Sequence, residues 1–150
     1  MRKYVLDANC YIDASRSSED LAQLTDFSNW AAPGLFLSTI VASELRAGVT
    51  SSRNRKKLEQ DVLGPFVRRR RVVTASSAAW DALGLTLATL REKEGLQLAH
   101  VRRSFAFDIL LAYSCRELGA ILVTRNTRDM ERIEQVFAFQ YVMPYPSALD

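Results

Sequence analysis

The sequence predicts an α/β fold: one mostly parallel sheet held between two layers of helices. Three observations carry this reading. Short apolar runs of β type alternate with helical stretches along the whole chain, the pattern that demands crossover connections and parallel pairing. No repeat, low-complexity tract or linker interrupts the 150 residues, so residues 1–150 read as one domain with one core. Two of the apolar runs end on polar groups, Asp7 and Thr124-Arg125-Asn126, where open parallel sheets hold their ligands.

The elements follow in order. Residues 3–6 make a first strand that ends on Asp7. Residues 9–14 and 19–32 are helical, the second with Leu21, Leu24, Phe27 and Trp30 at spacings of three, one apolar stripe. Pro33-Gly34 breaks the chain before a strand at 35–37. Ser38-Thr39 then supplies N-cap chemistry for a helix over 40–47, closed by Gly48. A basic helix runs over 53–67, interrupted near Gly64-Pro65, and 71–74 is strand-like. Ser76-Ser77 caps a long helix towards Leu98. Ser104 caps another over 105–118, with Gly119 as its C-terminal stop. Residues 121–124 form a buried strand, 127–133 a helix and 137–142 a final strand.

Composition narrows the chemistry. At 48% hydrophobic and 25% charged residues the chain is neither disordered nor fibrous. Cys10 and Cys115 match no zinc or redox spacing and read as two reduced, buried thiols. No apolar run approaches the roughly 20 residues of a membrane span, and the N-terminus lacks a secretory apolar region; the expected location is cytoplasmic. The single histidine, His100, excludes two-histidine acid–base catalysis. Neither a G-x-S-x-G elbow nor a glycine-rich phosphate loop is present. Carboxylates remain, and carboxylates attract hard metal ions.

The net charge of +3 is unevenly distributed. Residues 46–71 hold nine Lys/Arg against two Asp/Glu, a balance of +7, and 16 of the 20 basic residues are arginine, the side chain whose planar fork matches phosphate. The densest run, Arg68, Arg69, Arg70 and Arg71, is a candidate phosphate contact or else a solvated face.

Among the acids, Asp7 sits where it can cap the next helix or face a ligand. Asp108 interrupts a stretch, Phe105 to Tyr113, that is otherwise apolar on every helical face. Burying it unpaired would cost several kcal/mol, so it needs an arginine, a metal ion or a helix N-terminus. Glu44 lies in a short capped helix beside Ala42, Ser43, Ala47 and Gly48, which leave room for close approach. Pattern alone gives Asp13 and Asp129 no such setting.

Four segments occur in sequence: Val5-Leu6-Asp7-Ala8-Asn9, Ser38-Thr39-Ile40-Val41-Ala42-Ser43-Glu44-Leu45, Phe107-Asp108-Ile109-Leu110-Leu111-Ala112 and Leu122-Val123-Thr124-Arg125-Asn126. In this order and spacing they resemble the PIN-domain ribonucleases, most of all the VapC toxins of bacterial toxin–antitoxin pairs. The resemblance spans nearly the whole chain and implies a five-stranded parallel sheet. It also implies an acid cluster binding Mg²⁺ or Mn²⁺, an RNA substrate, a cognate antitoxin and a homodimer. By motif position Asp7, Glu44 and Asp108 fall on the family's three acids, with Asn9 and Thr124 holding them in place. The fourth station departs from the pattern: Asn126 stands where many members carry aspartate, and either Asn126 itself, through its carbonyl or by orienting a water, or Asp129, three residues on, fills it.

Two rivals in phosphate chemistry fit poorly. A haloacid-dehalogenase-type phosphatase expects a second aspartate where Asn9 stands, and a receiver domain expects a late lysine, whereas the last one here is Lys93. The remaining alternative is a catalytically weak PIN fold that binds nucleic acid or protein, with Asn126 as its main support.

Overall fold

A computed structural model describes residues 1–149. Five strands, β1 (Lys3–Leu6), β2 (Leu35–Ser38), β3 (Val72–Val73), β4 (Ala120–Val123) and β5 (Gln140–Val142), form one sheet in the order β3-β2-β1-β4-β5. Every pairing is parallel, as crossover helices between successive strands require. From β1 the chain first builds outward to β2 and β3, then returns to add β4 and β5 on the other side. The strand order therefore reverses between β1 and β4, and a crevice opens beyond their carboxyl ends. Register places Leu6 opposite Val123, so the next residues, Asp7 and Thr124, face each other across that crevice.

Period-two alternation divides the core. Tyr4, Leu6 and Val123 point to one face, where Phe27 and Ala31 of α2 (Ser18–Ala31) and Cys10 of α1 (Ala8–Arg16) cover them. Tyr4, Phe27 and Trp30 meet edge to face at 5.1–5.9 Å, the arrangement that aromatic quadrupoles favour. Val5 and Leu122 point to the opposite face, under α3 (Thr39–Gly48), α7 (Arg103–Leu118) and α8 (Thr127–Glu134), in a cluster that Leu37 and Phe36 join. Gly34 passes so close to β1 that a Cβ would strike the Arg2 carbonyl. Both cysteines are free and buried. Among the described residues no helix is long and apolar enough to cross a membrane.

Local chemistry accounts for most boundaries, and for the places where they move. Ser38 accepts from the Ile40 N–H and Ser76 from the Ala79 N–H, as expected of N-caps. The predicted basic helix over 53–67 is instead three pieces: α4 (Ser52–Lys57), a wide turn over Leu58–Leu63, and α5 (Gly64–Arg68). Pro65 has no N–H to continue the ladder, and the Gly64 N–H reaches back five residues to the Glu59 carbonyl, burying Leu63. The long helix α6 (Ser77–Glu94) stops before Leu98 because Gly95 turns left-handed at φ +70° and returns its N–H to Arg91. Arg102, not Ser104, precedes α7. The final strand is shorter than the predicted 137–142, since Phe137 and Phe139 pack beside Tyr113 and Tyr141 in an aromatic row. Leu21 and Trp30 leave the predicted α2 stripe for the surface, while Phe27 alone of the four is fully buried.

Candidate active site

Asp7 ends β1 and caps α1. Its Oδ1 accepts from the Ala8 N–H at 2.7 Å, so the capping role is real, and its Oδ2 turns the other way. That second oxygen accepts from the Thr124 hydroxyl at 2.7 Å and from the Asn9 amide at 3.2 Å. Asp7 is only 5% exposed, and burial raises its carboxyl above the usual range against the pull of these hydrogen bonds.

Thr124 is completely buried one residue past β4. Its hydroxyl donates to Asp7 and accepts from the Asn9 amide at 3.3 Å and the Asn126 N–H at 3.0 Å, which fills its one donor and two acceptor positions. Asn9 completes the link: its Oδ1 accepts from the Arg125 N–H at 3.4 Å and from the Cys10 thiol at 3.5 Å. Burial and the neighbouring Asp7 charge push that thiol up to about 12, so Cys10 stays protonated and serves as a weak donor.

Asp108 comes from the second turn of α7 and is 7% exposed. Among the described residues its ion-pair partners include no arginine or lysine; the compensation is an amide. Asn126 donates from Nδ2 to Asp108 Oδ2 at 2.9 Å and to Asp129 Oδ2 at 3.0 Å, one NH₂ group bridging two carboxylates. Burial first, then the charges of Asp7, Asp129 and Glu44, push the Asp108 carboxyl up to about 8. Glu44, half-buried on α3, is likewise raised by burial and by Asp7, and lowered by Arg103. Asp129 opens α8 and lies 3.6 Å from Arg132.

Four acids from four elements thus repel one another in one crevice, with Asn9, Thr124 and Asn126 between them. Among the described residues no three acids, thiols or imidazoles already converge as a closed metal cage. Inward-facing oxygens of Asp7 and Asp108 are taken by protein donors. The donor set is hard oxygen throughout, and among the described residues Asp108 has no basic ion-pair partner. Those two properties fit a hard divalent cation held chiefly by Asp7 and Asp108.

The predicted arginine contacts lie elsewhere. Residues 68–71 lead into the amino end of β3, where the Arg71 carbonyl pairs with Leu37 and its guanidinium stacks 5.0 Å over Phe36. The acids sit past the carboxyl ends of β1 and β4. Sequence reasoning passed over two basic residues that do stand at the crevice. Arg103 is close enough to Glu44 to favour its ionised form, and Arg125 pairs with Asp13 at 2.7 Å and Asp20 at 3.2 Å. For Arg125 the signal was its place between Thr124 and Asn126; for Arg103 nothing local distinguished it.

The PIN domain model matches residues 4–136. No curated protein matches the chain. Among solved structures it is similar to FitAB bound to an IR36 DNA fragment, with 16% identity over 96% of each chain and a TM-score of 0.68. It is also similar to DNA-bound VapBC from Salmonella typhimurium, at 23% identity over 95% of this chain and 98% of that one, TM-score 0.67. A third similar fold is VapBC2 from Rickettsia felis bound to a promoter DNA fragment, at 24% identity over 93% and 97%, TM-score 0.61.

Proposed function

The chain belongs to the PIN domain family, and from that membership we propose that it is a Mg²⁺- or Mn²⁺-dependent endoribonuclease, the toxin of a toxin–antitoxin pair. The observation that carries this reading is Asp108: a buried carboxyl with no basic ion-pair partner among the described residues, crowded by Asp7, Glu44 and Asp129. Asp7 and Asp108 would hold the ion, and Glu44 and Asp129 could join them. When bound, such an ion supplies Lewis acidity toward a phosphoryl oxygen and makes water easier to deprotonate.

The chain's own residues do the rest. Glu44, its basicity raised by burial and by Asp7, accepts the proton of the attacking water. The new bond forms between that water's oxygen and phosphorus as the bond from phosphorus to the RNA 3′ oxygen breaks, and the departing 3′ oxygen takes a proton from solvent. Thr124 and Asn9 fix Asp7, while Asn126 fixes Asp108 and Asp129. Arg103 places positive charge beside Glu44, and residues 68–71 grip phosphates farther along the strand. The structures of similar fold are FitAB and VapBC complexes, which supports a cognate antitoxin as partner and the cytoplasm as location. A homodimer fits Trp80, which is 57% exposed beside an apolar groove lined by Ile40, Ala75, Phe107 and Leu110.

The test is cleavage of RNA by purified protein with Mg²⁺, Mn²⁺ or excess chelator, alongside induced expression in bacteria. Metal-dependent cleavage, and growth arrest relieved by Asp7→Asn, are expected. Cleavage unchanged in chelator, or equal arrest by the variant, overturns the reading. The second reading, a catalytically weak PIN fold that binds nucleic acid or protein, rests on Asn126 in place of an acid. RNA binding without cleavage under any divalent ion selects it.

A further inference from the structure

The structure assigns Arg125 as the positioning residue of the site: its side chain staples the loop after β4 to α1 and α2, and its backbone holds Asn9 beneath Asp7. The assignment rests on the nuclease reading above. Arg125 turns two nitrogens of its guanidinium to two different carboxylates, Nε to Asp13 at 2.7 Å and Nη2 to Asp20 at 3.2 Å. Asp13 lies on α1 and Asp20 in the first turn of α2, so the two pairs join segments more than 100 residues apart. A planar fork can hold two acids at once; an ammonium on a flexible stem cannot fix both directions.

The backbone on either side of that side chain builds the site. The Arg125 N–H donates to Asn9 Oδ1, the next N–H, of Asn126, donates to Thr124 Oγ1, and the Asn126 amide bridges Asp108 and Asp129. Asn9 and Thr124 in turn both donate to Asp7 Oδ2. Moving the loop therefore moves the Thr124 hydroxyl on Asp7, the Asn126 amide on Asp108 and the Arg125 N–H that holds Asn9. The three stapled side chains are each about one-third exposed. Ion pairs of that exposure add little stability, so the staple acts on geometry more than on melting temperature.

Two variants separate this role from direct contact with RNA. Arg125→Gln removes the staple. The double variant Asp13→Asn with Asp20→Asn loosens it while leaving the guanidinium free. Under the positioning role both lower kcat, leave KM for RNA unchanged, and weaken calorimetric binding of Mn²⁺ alone by about tenfold, the usual effect of losing an outer support. If Arg125 instead grips a phosphate, KM rises in the first variant and falls in the second; that opposite movement overturns the assignment. So does an unchanged Mn²⁺ affinity in both. Should either variant fail to fold, Arg125→Lys keeps the charge without the two-way fork and is read the same way. Wild-type protein that neither cleaves RNA nor binds Mn²⁺ defeats the nuclease reading instead. Amide exchange then decides positioning alone: the Arg125 and Asn126 N–H groups exchange faster in Asp20→Asn if the staple holds the loop, and unchanged exchange overturns it.

Discussion

The side-chain amide of Asn126 lies 2.9 Å from Asp108 and 3.0 Å from Asp129, donating to both. A neutral residue thus stands between two acids and donates to both, which eases their repulsion without removing it. This relationship makes the departure from the family's acidic fourth position testable. Asn126→Asp removes two charge-assisted hydrogen bonds, worth roughly 1.5–3 kcal/mol each, and adds a like charge. In chelator the variant should lose about 3 kcal/mol or more by denaturant unfolding at pH 7.5, and added Mn²⁺ should recover more stability in the variant than in wild type. Equal stability in chelator would show that the bridge carries no weight.

Asp108→Asn tests the same carboxylate from the other side. Were Asp108 half of a buried ion pair, the change would strand a cation and cost about 3–5 kcal/mol. No such partner exists among the described residues, so in chelator the variant should be at least as stable as wild type. It should gain less from Mn²⁺, because a ligand stabilises only the state that binds it. Melting curves with chelator and with Mn²⁺ decide this.

The pH dependence has a definite sign. The Asp108 carboxyl rises from 3.8 to about 8 on folding, so the folded state holds a proton that the unfolded state releases above pH 4. Stability from this group is complete below about pH 4 and is lost as pH climbs through about 8. Metal-free protein should therefore be more stable at pH 5.5 than at pH 8.5, and Asp108→Asn should flatten the difference. A metal-free stability that rises across this window in wild type would contradict the raised carboxyl.

Thr124→Val keeps the shape and removes the hydroxyl that serves Asp7, Asn9 and Asn126 at once. Leaving buried polar groups unsatisfied costs roughly 1–3 kcal/mol each, and disturbing a ligand's outer partner weakens metal binding about 10–100-fold. Calorimetric titration with Mn²⁺ and thermal melting should show both losses.

The arginines can be sorted by salt. Changing residues 68–71 to alanine should weaken RNA binding and flatten the dependence of log affinity on log salt by about 0.7 for each phosphate no longer neutralised, with little change in kcat. Arg103→Ala, beside Glu44, should change kcat or its pH profile instead. An unchanged salt slope in the first variant would make that run a structural or solvated face.

The amino-acid sequence by itself determined the layer architecture, because burial leaves a trace: the short apolar runs in 3–6, 35–37 and 121–124, each set between helical stretches, read as central parallel strands. It also placed Asp7 and Thr124 at strand ends and singled out Asp108 as an acid that burial must compensate. What compensates it was decided by tertiary structure. The Asn126 bridge, the Arg125 staple and the position of residues 68–71 at the amino side of β3 all join or separate segments by sheet order and register. β1 meets β4 across more than 100 residues, and no local pattern encodes which side chain will stand opposite which. The arginine run stood out because charge density is visible in sequence, whereas the end of the sheet it occupies is not. The wide turn at Leu58–Leu63 is of the same kind: Gly64-Pro65 announced a break, but only packing Leu63 into the core chose how the helix would widen rather than stop.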